Sequence, residues 1–324
     1  MAVCMEGQKK DMIYVEMSGR MGNQMFRYAF ARMLQNMSPD QNEKLVFDFS
    51  RIYQEKKKEE MPGWEDSLQY LNTVPYTYYT KPGRILMNET SLGEKAVLTF
   101  IKAGDLAAKR KGTYARIAWR KGFLGWMNRH GIYQMFTGYD YPYTWVEGRK
   151  LLAAPFECAR FPEAVREELL VEFTPRSPLL EQNRGLMDKI RSTNSVCVSI
   201  RRGNYLLYPG LDVCHADYFE RAARRMQKLT ADPVFFVFSD DVEWARENLT
   251  FPGEVFFESG EDPVWEKLRL MYSCRHFIIS NSTFSWWAQF LGTAPDKKVI
   301  APARWYNDPY EPPLYESGWI REEV

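Results

Sequence analysis

In the second half of the chain, short continuous apolar runs alternate with amphipathic stretches. Runs of strand length stand at 196–201, 234–238, 254–257, 276–280 and 298–301. Between them, segments near 215–229, 241–249, 262–274 and 283–291 carry apolar residues at helical spacing; Tyr218, Phe219, Ala222, Ala223, Met226 and Leu229 share one face. Repeated β–α alternation predicts a parallel sheet covered by helices on both sides. The N-terminal part begins the same way. MIYVEMS (12–18) reads as a strand, Gly19 to Gln24 as a turn, Met25 to Met37 as a helix and KLVFDF (44–49) as the next strand. The charged QEKKKEEMPGWED (54–66) reads as an exposed loop, and VPYTYY and ILMNET as short strands or loops. The proline-containing FTPRSPLLEQN (173–183) marks the boundary between two α/β domains, 1–176 and 177–324.

Three of the apolar runs end in polar clusters. SVCVSI stops at Arg201 and Arg202, VFFVFS at Asp240 and Asp241, and HFIIS passes into Asn281, Ser282 and Thr283 before an aromatic helical segment. In an open parallel sheet, ligands bind beyond the carboxyl ends of the strands. Guanidinium groups fork onto phosphate oxygens. Adjacent residues of a strand point to opposite faces, so one arginine can reach a ligand while the other makes an ion pair. Each aspartate can accept two N–H bonds from the guanine edge or cap the following helix. The Ser280–Thr283 segment offers hydroxyls and a helix N-terminus to an anion, or simply caps that helix. Phe284, Trp286 and Trp287 are core residues or sugar platforms. After the first strand, Gly19, Gly22, Asn23 and Gln24 permit close backbone approach and side-chain bonding to a ligand, without the third glycine of a dinucleotide fingerprint.

Composition narrows the classes. The net charge of +1 gives no field for nucleic acid, and no nucleic-acid-reading motif is present. Five scattered cysteines lack metal-ligand spacing and read as free or buried thiols in a reducing compartment. Three well-separated histidines give no metal site. No apolar run is long enough to span a membrane and the N-terminus has no signal-peptide pattern, so a cytoplasmic location is expected. Residues 102–130 carry eight lysines and arginines against Asp105 alone. That stretch reads as a basic helical face, either solvated or resting peripherally on anionic lipid at the inner membrane face.

Four segments in order, GRMGNQMFRYA (19–29), SIRRGNY (199–205), FSDD (238–241) and NSTFSWW (281–287), together with VIAPARWY (299–306), resemble the α-1,2-fucosyltransferases of glycosyltransferase family 11. Each motif alone is modest, but together they span almost the whole chain. The resemblance implies a GT-B-type fold of two Rossmann-like domains, with the nucleotide site in the C-terminal one. It implies transfer of L-fucose from GDP-fucose to the 2-hydroxyl of a galactoside in an oligosaccharide or glycolipid, with inversion and with neither metal nor cofactor. Carried over by motif, Arg201 and Arg202 would neutralise the diphosphate. Asp240, with Asp241 beside it, would meet the guanine. Ser199, Asn281, Ser282, Thr283 and Phe284 would line the donor site, and Asn23 would face the reaction centre with Arg201. The chain departs from the pattern at Ser199 (histidine), Asn204 (aspartate) and Arg27 (glutamine). Serine can hydrogen-bond but neither stacks nor titrates. These departures leave open another sugar nucleotide or linkage, or an inactive glycan-binding homologue. The catalytic base is unassigned; Glu16 and Asp48 are candidates that are equally readable as structural.

Overall fold

The computed structural model describes residues 12–39, 43–57 and 63–324. The chain divides into two compact units, one of Met1–Leu68 with Thr73–Leu169 and one of Gln69–Asn72 with Leu170–Val324. In the first unit the strands are β1 (Met12–Glu16), β2 (Lys44–Asp48), β3 (Tyr76–Tyr78), β4 (Ile132–Gln134) and β5 (Lys150–Ala153). They form one sheet in the order β3-β2-β1-β5-β4 with every pair parallel. The second unit holds β6 (Asn194–Ile200), β7 (Pro233–Ser239), β8 (Val255–Phe257), β9 (His276–Ile279), β10 (Val299–Pro302) and β11 (Ile320–Glu322). Its order is β11-β10-β9-β6-β7-β8, again parallel throughout. Two Rossmann-like α/β units are the make-up of the GT-B fold expected from the sequence.

Burial explains the continuous apolar runs. All seven residues of β7 and all four of β9 and β10 are buried, because helices cover both faces of a parallel sheet. On one face the helix Ala216–Leu229 packs Tyr218, Phe219, Ala222, Ala223 and Met226 against Val196, Val198, Phe235 and Val237. Leu229, expected on that face, closes the helix and is 39% exposed. Trp286 and Trp287 are fully buried, which makes them core rather than platforms.

The first unit departs from the sequence expectation in several places. The first helix starts at Met21, with Arg20 as its N-cap, so Gly22, Asn23 and Gln24 lie in its first turn rather than in a loop. Gly19 makes the tight entry at φ +76°, and a Cβ there would stand 2.7 Å from the Asn23 side chain. The expected loop at 54–66 is helical over Ser50–Lys56; residues 58–62 lie outside the described residues, and Asp66 is buried. There Asp66 accepts hydrogen bonds from the Tyr76 and Tyr78 hydroxyls at 2.6 and 2.7 Å. VPYTYY supplies β3, whereas ILMNET begins with a helical turn, Ile85–Asn88.

The basic stretch folds as the end of the helix Leu92–Lys109, then Thr113–Lys121 and Leu124–Arg129. Its charge is not uniform. Arg116 and Arg120 turn inward onto Asp105 at 2.8 and 3.2 Å, and the Arg116 guanidinium lies 3.6 Å from the centre of the Phe136 ring. Lys102, Lys109, Arg110 and Lys111 remain exposed. No described helix is long and apolar enough to cross a membrane. Cys158, Cys197, Cys214 and Cys274 are buried free thiols, while Cys4 lies outside the described residues.

Candidate active site

The second sheet reverses direction at β6. The chain runs outward through β7 and β8, then returns to β9 on the other side of β6. The crevice beyond the carboxyl ends of β6 and β9 is therefore a topological switch point, where open α/β sheets bind ligands. In register, Ile200 pairs with Ser239 and Ser199 with Ile279. This brings together three of the segments singled out in the sequence: Arg201–Arg202 after β6, Asp240–Asp241 after β7 and Ser280–Thr283 after β9.

Arg201 and Arg202 are each held by an aspartate. The Arg201 guanidinium lies 2.7 Å from Asp240 Oδ2 and donates to Asn204 Oδ1 at 2.6 Å. Asp240 Oδ1 accepts the Arg202 backbone N–H at 2.9 Å, so this one carboxylate ties the β6 loop to the end of β7. Arg202 Nε donates to Asp241 at 3.3 Å, and its guanidinium lies 3.6 Å from the Trp244 ring centre. Asp241 also caps the helix Val242–Asn248, accepting the Trp244 N–H at 3.2 Å. Both arginines keep roughly a fifth of their side-chain surface exposed, 19% and 17%. Asn204, where the family pattern has aspartate, thus supplies a neutral acceptor that orients Arg201 without a second negative charge.

Beyond β9, Ser282 is the N-cap of the helix Thr283–Leu291 and makes no side-chain capping bond. The first N–H groups of a helix have no intrahelical partners, and with its dipole they favour an anion. Thr283 and Phe284 are partly exposed at this end. The side chains of Ser199 and Asn281 are spent on the fold. Ser199 lies 2.7 Å from the hydroxyl of Ser285, which lies 3.1 Å from that of Ser280, forming a buried row of three serines. The Asn281 amide donates to the carbonyls of Leu211 and Trp305, each at 2.9 Å, and fixes the loops on either side.

Asn23 belongs to the first unit and keeps different company. It lines a cavity of about 300 Å³ at the carboxyl ends of β1, β4 and β5, with Gly19, Arg27, Arg51, Phe136 and Glu157 among its walls. Its amide donates to Glu157 Oε1 at 2.7 Å. Gln24 is instead fully buried and clamps the backbone, donating to the carbonyls of Gly19 and Glu65 and accepting the Ser67 N–H. Arg27 donates to the Glu16 carbonyl; burial lowers its guanidinium to about 10, which leaves it charged at neutral pH.

Glu16 and Asp48 prove structural. The Glu16 carboxylate is gripped at both oxygens by Arg84, at 2.7 and 2.8 Å. Burial pushes its pKa up, but the Arg84 hydrogen bonds and the charges of Arg84, Arg27 and Arg51 outweigh that and hold it below the ordinary carboxylate value. Asp48 accepts the backbone N–H groups of Ser50 and Ile85. The carboxyl that sequence reading missed is Glu157. Only its place four residues after a short apolar run, LLA, could have pointed to it.

The family model described as "Glycosyl transferase family 11" matches residues 106–323. The O-antigen biosynthesis glycosyltransferase WbnK of Escherichia coli is 25% identical over 95% of this chain and 99% of its own length. An α-1,2-colitosyltransferase of Escherichia coli is 36% identical over 44% of this chain and 51% of its own. The galactoside α-(1,2)-fucosyltransferase 2 of Mus musculus is 31% identical over 61% of this chain and 62% of its own.

Proposed function

Because the chain belongs to glycosyltransferase family 11, we propose that it transfers L-fucose from GDP-fucose to the 2-hydroxyl of a terminal galactoside, inverting the anomeric carbon without a metal ion. The observation that carries this reading is the pairing of two arginines with a helix N-terminus at the switch point of the second sheet. That combination suits a diphosphate leaving group. As the anomeric carbon becomes oxocarbenium-like, negative charge collects on the departing diphosphate. Arg201, the hydroxyls of Ser282 and Thr283 and the first-turn N–H groups of the helix would take up that charge from fixed positions. Asp240 positions Arg201 and leaves part of its own carboxylate open to the base. Asp241 serves Arg202 and the helix cap.

The test is product formation from GDP-fucose with a panel of galactosides in EDTA, with the linkage read by NMR. An α-1,2-linked product is expected. Arg201→Ala should keep its fold by circular dichroism and lose about 10²–10³ in kcat; wild-type turnover in that variant refutes the assignment. A second reading keeps the scaffold and changes the sugar, as the colitosyltransferase relative does. The buried Ser199 hydroxyl favours it, since the family pattern has an imidazole at that position. A panel of GDP-sugars separates the two by kcat/KM.

The acceptor side of the proposal includes a lipid surface. On the helix Leu92–Lys109, the exposed Leu92, Ala96, Thr99, Ala103 and Leu106 form one stripe beside Lys102 and Lys109. Apolar residues flanked by cations suit the interface of an anionic bilayer, where a glycolipid acceptor would be met. Co-sedimentation with anionic liposomes should fall in a Leu92→Ser/Leu106→Ser/Lys109→Glu variant; unchanged binding removes the membrane from the proposal.

A further inference from the structure

The cavity of about 300 Å³ in the first unit is lined by two guanidinium groups, Arg27 and Arg51, and one carboxyl, Glu157. Arg27 is only 5% exposed. Its Nη1 donates to a neutral partner, the Glu16 carbonyl, and its Nε has no hydrogen-bond partner among the described residues. The charges that act on it are the carboxyls of Glu16 and Glu157 and the cations of Arg51 and Arg84. Glu16 is already spent: Arg84 grips both its oxygens, and Arg51 lies 3.4 Å from one of them. Glu157 takes the Asn23 amide, and burial pushes its carboxyl above the ordinary value. Three guanidinium groups thus meet two carboxyls, and Arg27 is the one left without an ion pair among the described residues. A buried cation without a counter-ion is costly, so the cavity has a positive charge to be matched.

We propose that this cavity binds a sugar bearing a carboxylate, with Arg27 and Arg51 as the groups that receive the carboxylate. Guanidinium and carboxylate make strong, charge-assisted hydrogen bonds. Glutamine, which the family pattern has at position 27, would bring no charge there. A monoanion matches the one cation in surplus, whereas a phosphate dianion would face Glu157 with a charge left over. The volume falls at the lower end of small-molecule pockets and exceeds what a bare carboxylate fills. Its remaining walls suit a sugar ring: Ser18, Asn23 and Glu157 can bond hydroxyls, and Phe136 supplies an apolar surface. The wall that carries Glu157 is fixed in place. Phe156 has φ +54°, a left-handed conformation that a bulky aromatic adopts at a cost. It is held by a face-to-face stack on Phe30, with ring centroids 4.0 Å apart. Strain of this kind clusters at active sites and ligand clamps. The site needs neither the donor nor the second unit.

The experiment titrates the full chain, with no donor present, with methyl galacturonide and with methyl galactoside by calorimetry. The two ligands differ only in a carboxylate for the primary alcohol. The galacturonide should bind at least about tenfold more tightly, the scale of a charge-assisted bond. Equal affinities, or no galacturonide binding, overturn the proposal. Galactose 6-phosphate bound more tightly than the galacturonide overturns the carboxylate, and acetate bound as tightly overturns the sugar. In Arg27→Gln, with the fold checked by circular dichroism, galacturonide affinity should fall by at least about tenfold; wild-type affinity overturns the assignment. If Arg27→Gln does not fold, Arg51→Gln, whose side chain is 47% exposed in the wild type, replaces it. Weakened galacturonide binding then supports the proposal and wild-type affinity overturns it. No donor enters the titration, so a failure of GDP-fucose to react leaves its outcome unaffected.

Discussion

Lys150 and Glu43 form an ion pair with both side chains fully buried, Nζ to Oε1 at 2.8 Å. Trp145 Nε1 donates to the same oxygen at 2.7 Å, and Lys150 also reaches the Gly148 carbonyl at 3.0 Å. Lys150 opens β5, the strand whose other end leads to Ala153, Ala154 and Glu157. At 2.8 Å and an effective dielectric of about 20, the Coulomb attraction is about 6 kcal/mol. Most of that offsets the desolvation of two charges. Removing one partner is worse than removing both, because a lone buried charge remains. Lys150→Met should therefore cost about 3–5 kcal/mol, a large fraction of the roughly 5–15 kcal/mol that holds an ordinary domain together. Lys150→Met/Glu43→Gln leaves no charge and still offers an amide oxygen to Trp145, so it should recover most of the loss. Urea unfolding followed separately by far-UV circular dichroism and tryptophan fluorescence measures both variants. A single variant within about 1 kcal/mol of wild type, or a double variant no better than the single, would refute the reasoning.

Two further outcomes follow from the first unit. Glu16 has a folded-state pKa below its ordinary 4.5, so the folded state binds fewer protons than the unfolded one in that range and stability falls with falling pH. The contribution is present above the unfolded value and is lost as pH drops through the folded one; the gap in urea midpoint between wild type and Glu16→Gln should be widest at neutral pH and shrink as pH falls below 4.5. A gap that does not change with pH would contradict it. Gly19→Ala adds a Cβ 2.7 Å from the Asn23 side chain at φ +76°. It should lower stability by about 1–2 kcal/mol and depress transfer activity further by moving Asn23; a melting temperature and kcat equal to wild type would refute it.

The strand ends of the second unit were legible because the apolar runs of β6, β7 and β9 are buried and stop where their clusters begin. Arg201, Asp240 and Ser282 could therefore be placed together from the sequence alone. What the side chains do there was not legible. Nothing in VCVSI tells that Ser199 turns to Ser285, since that depends on which face of β6 the helix Thr283–Leu291 covers. The glycines read as a turn and so delay the expected start of the first helix by four residues, whereas Gly19 alone needs the positive φ and Gly22 lies inside the helix. The arginines of 102–130 looked like one basic face because the Asp105 that gathers Arg116 and Arg120 is a tertiary partner, on a different helix. Glu157 was invisible because its neighbours in space, Asn23 and Arg27, lie more than a hundred residues before it. No short pattern joins them.

The small segment Gln69–Asn72 belongs to the second unit although it is synthesised within the first. Its Asn72 N–H donates to the Thr174 carbonyl, and its Tyr70 carbonyl accepts the Arg176 N–H. Asn72 and Thr174 are 102 residues apart, so at about 5–20 residues per second the ribosome delivers the second partner roughly 5–20 s after the first. During that interval the backbone groups of the segment must be kept by water. The same thread means that the second unit is not a continuous stretch of chain: a chain restarted at residue 170 would lack a strip of its own wall, and any attempt to exchange the second unit among relatives would have to carry residues 69–72 across as well.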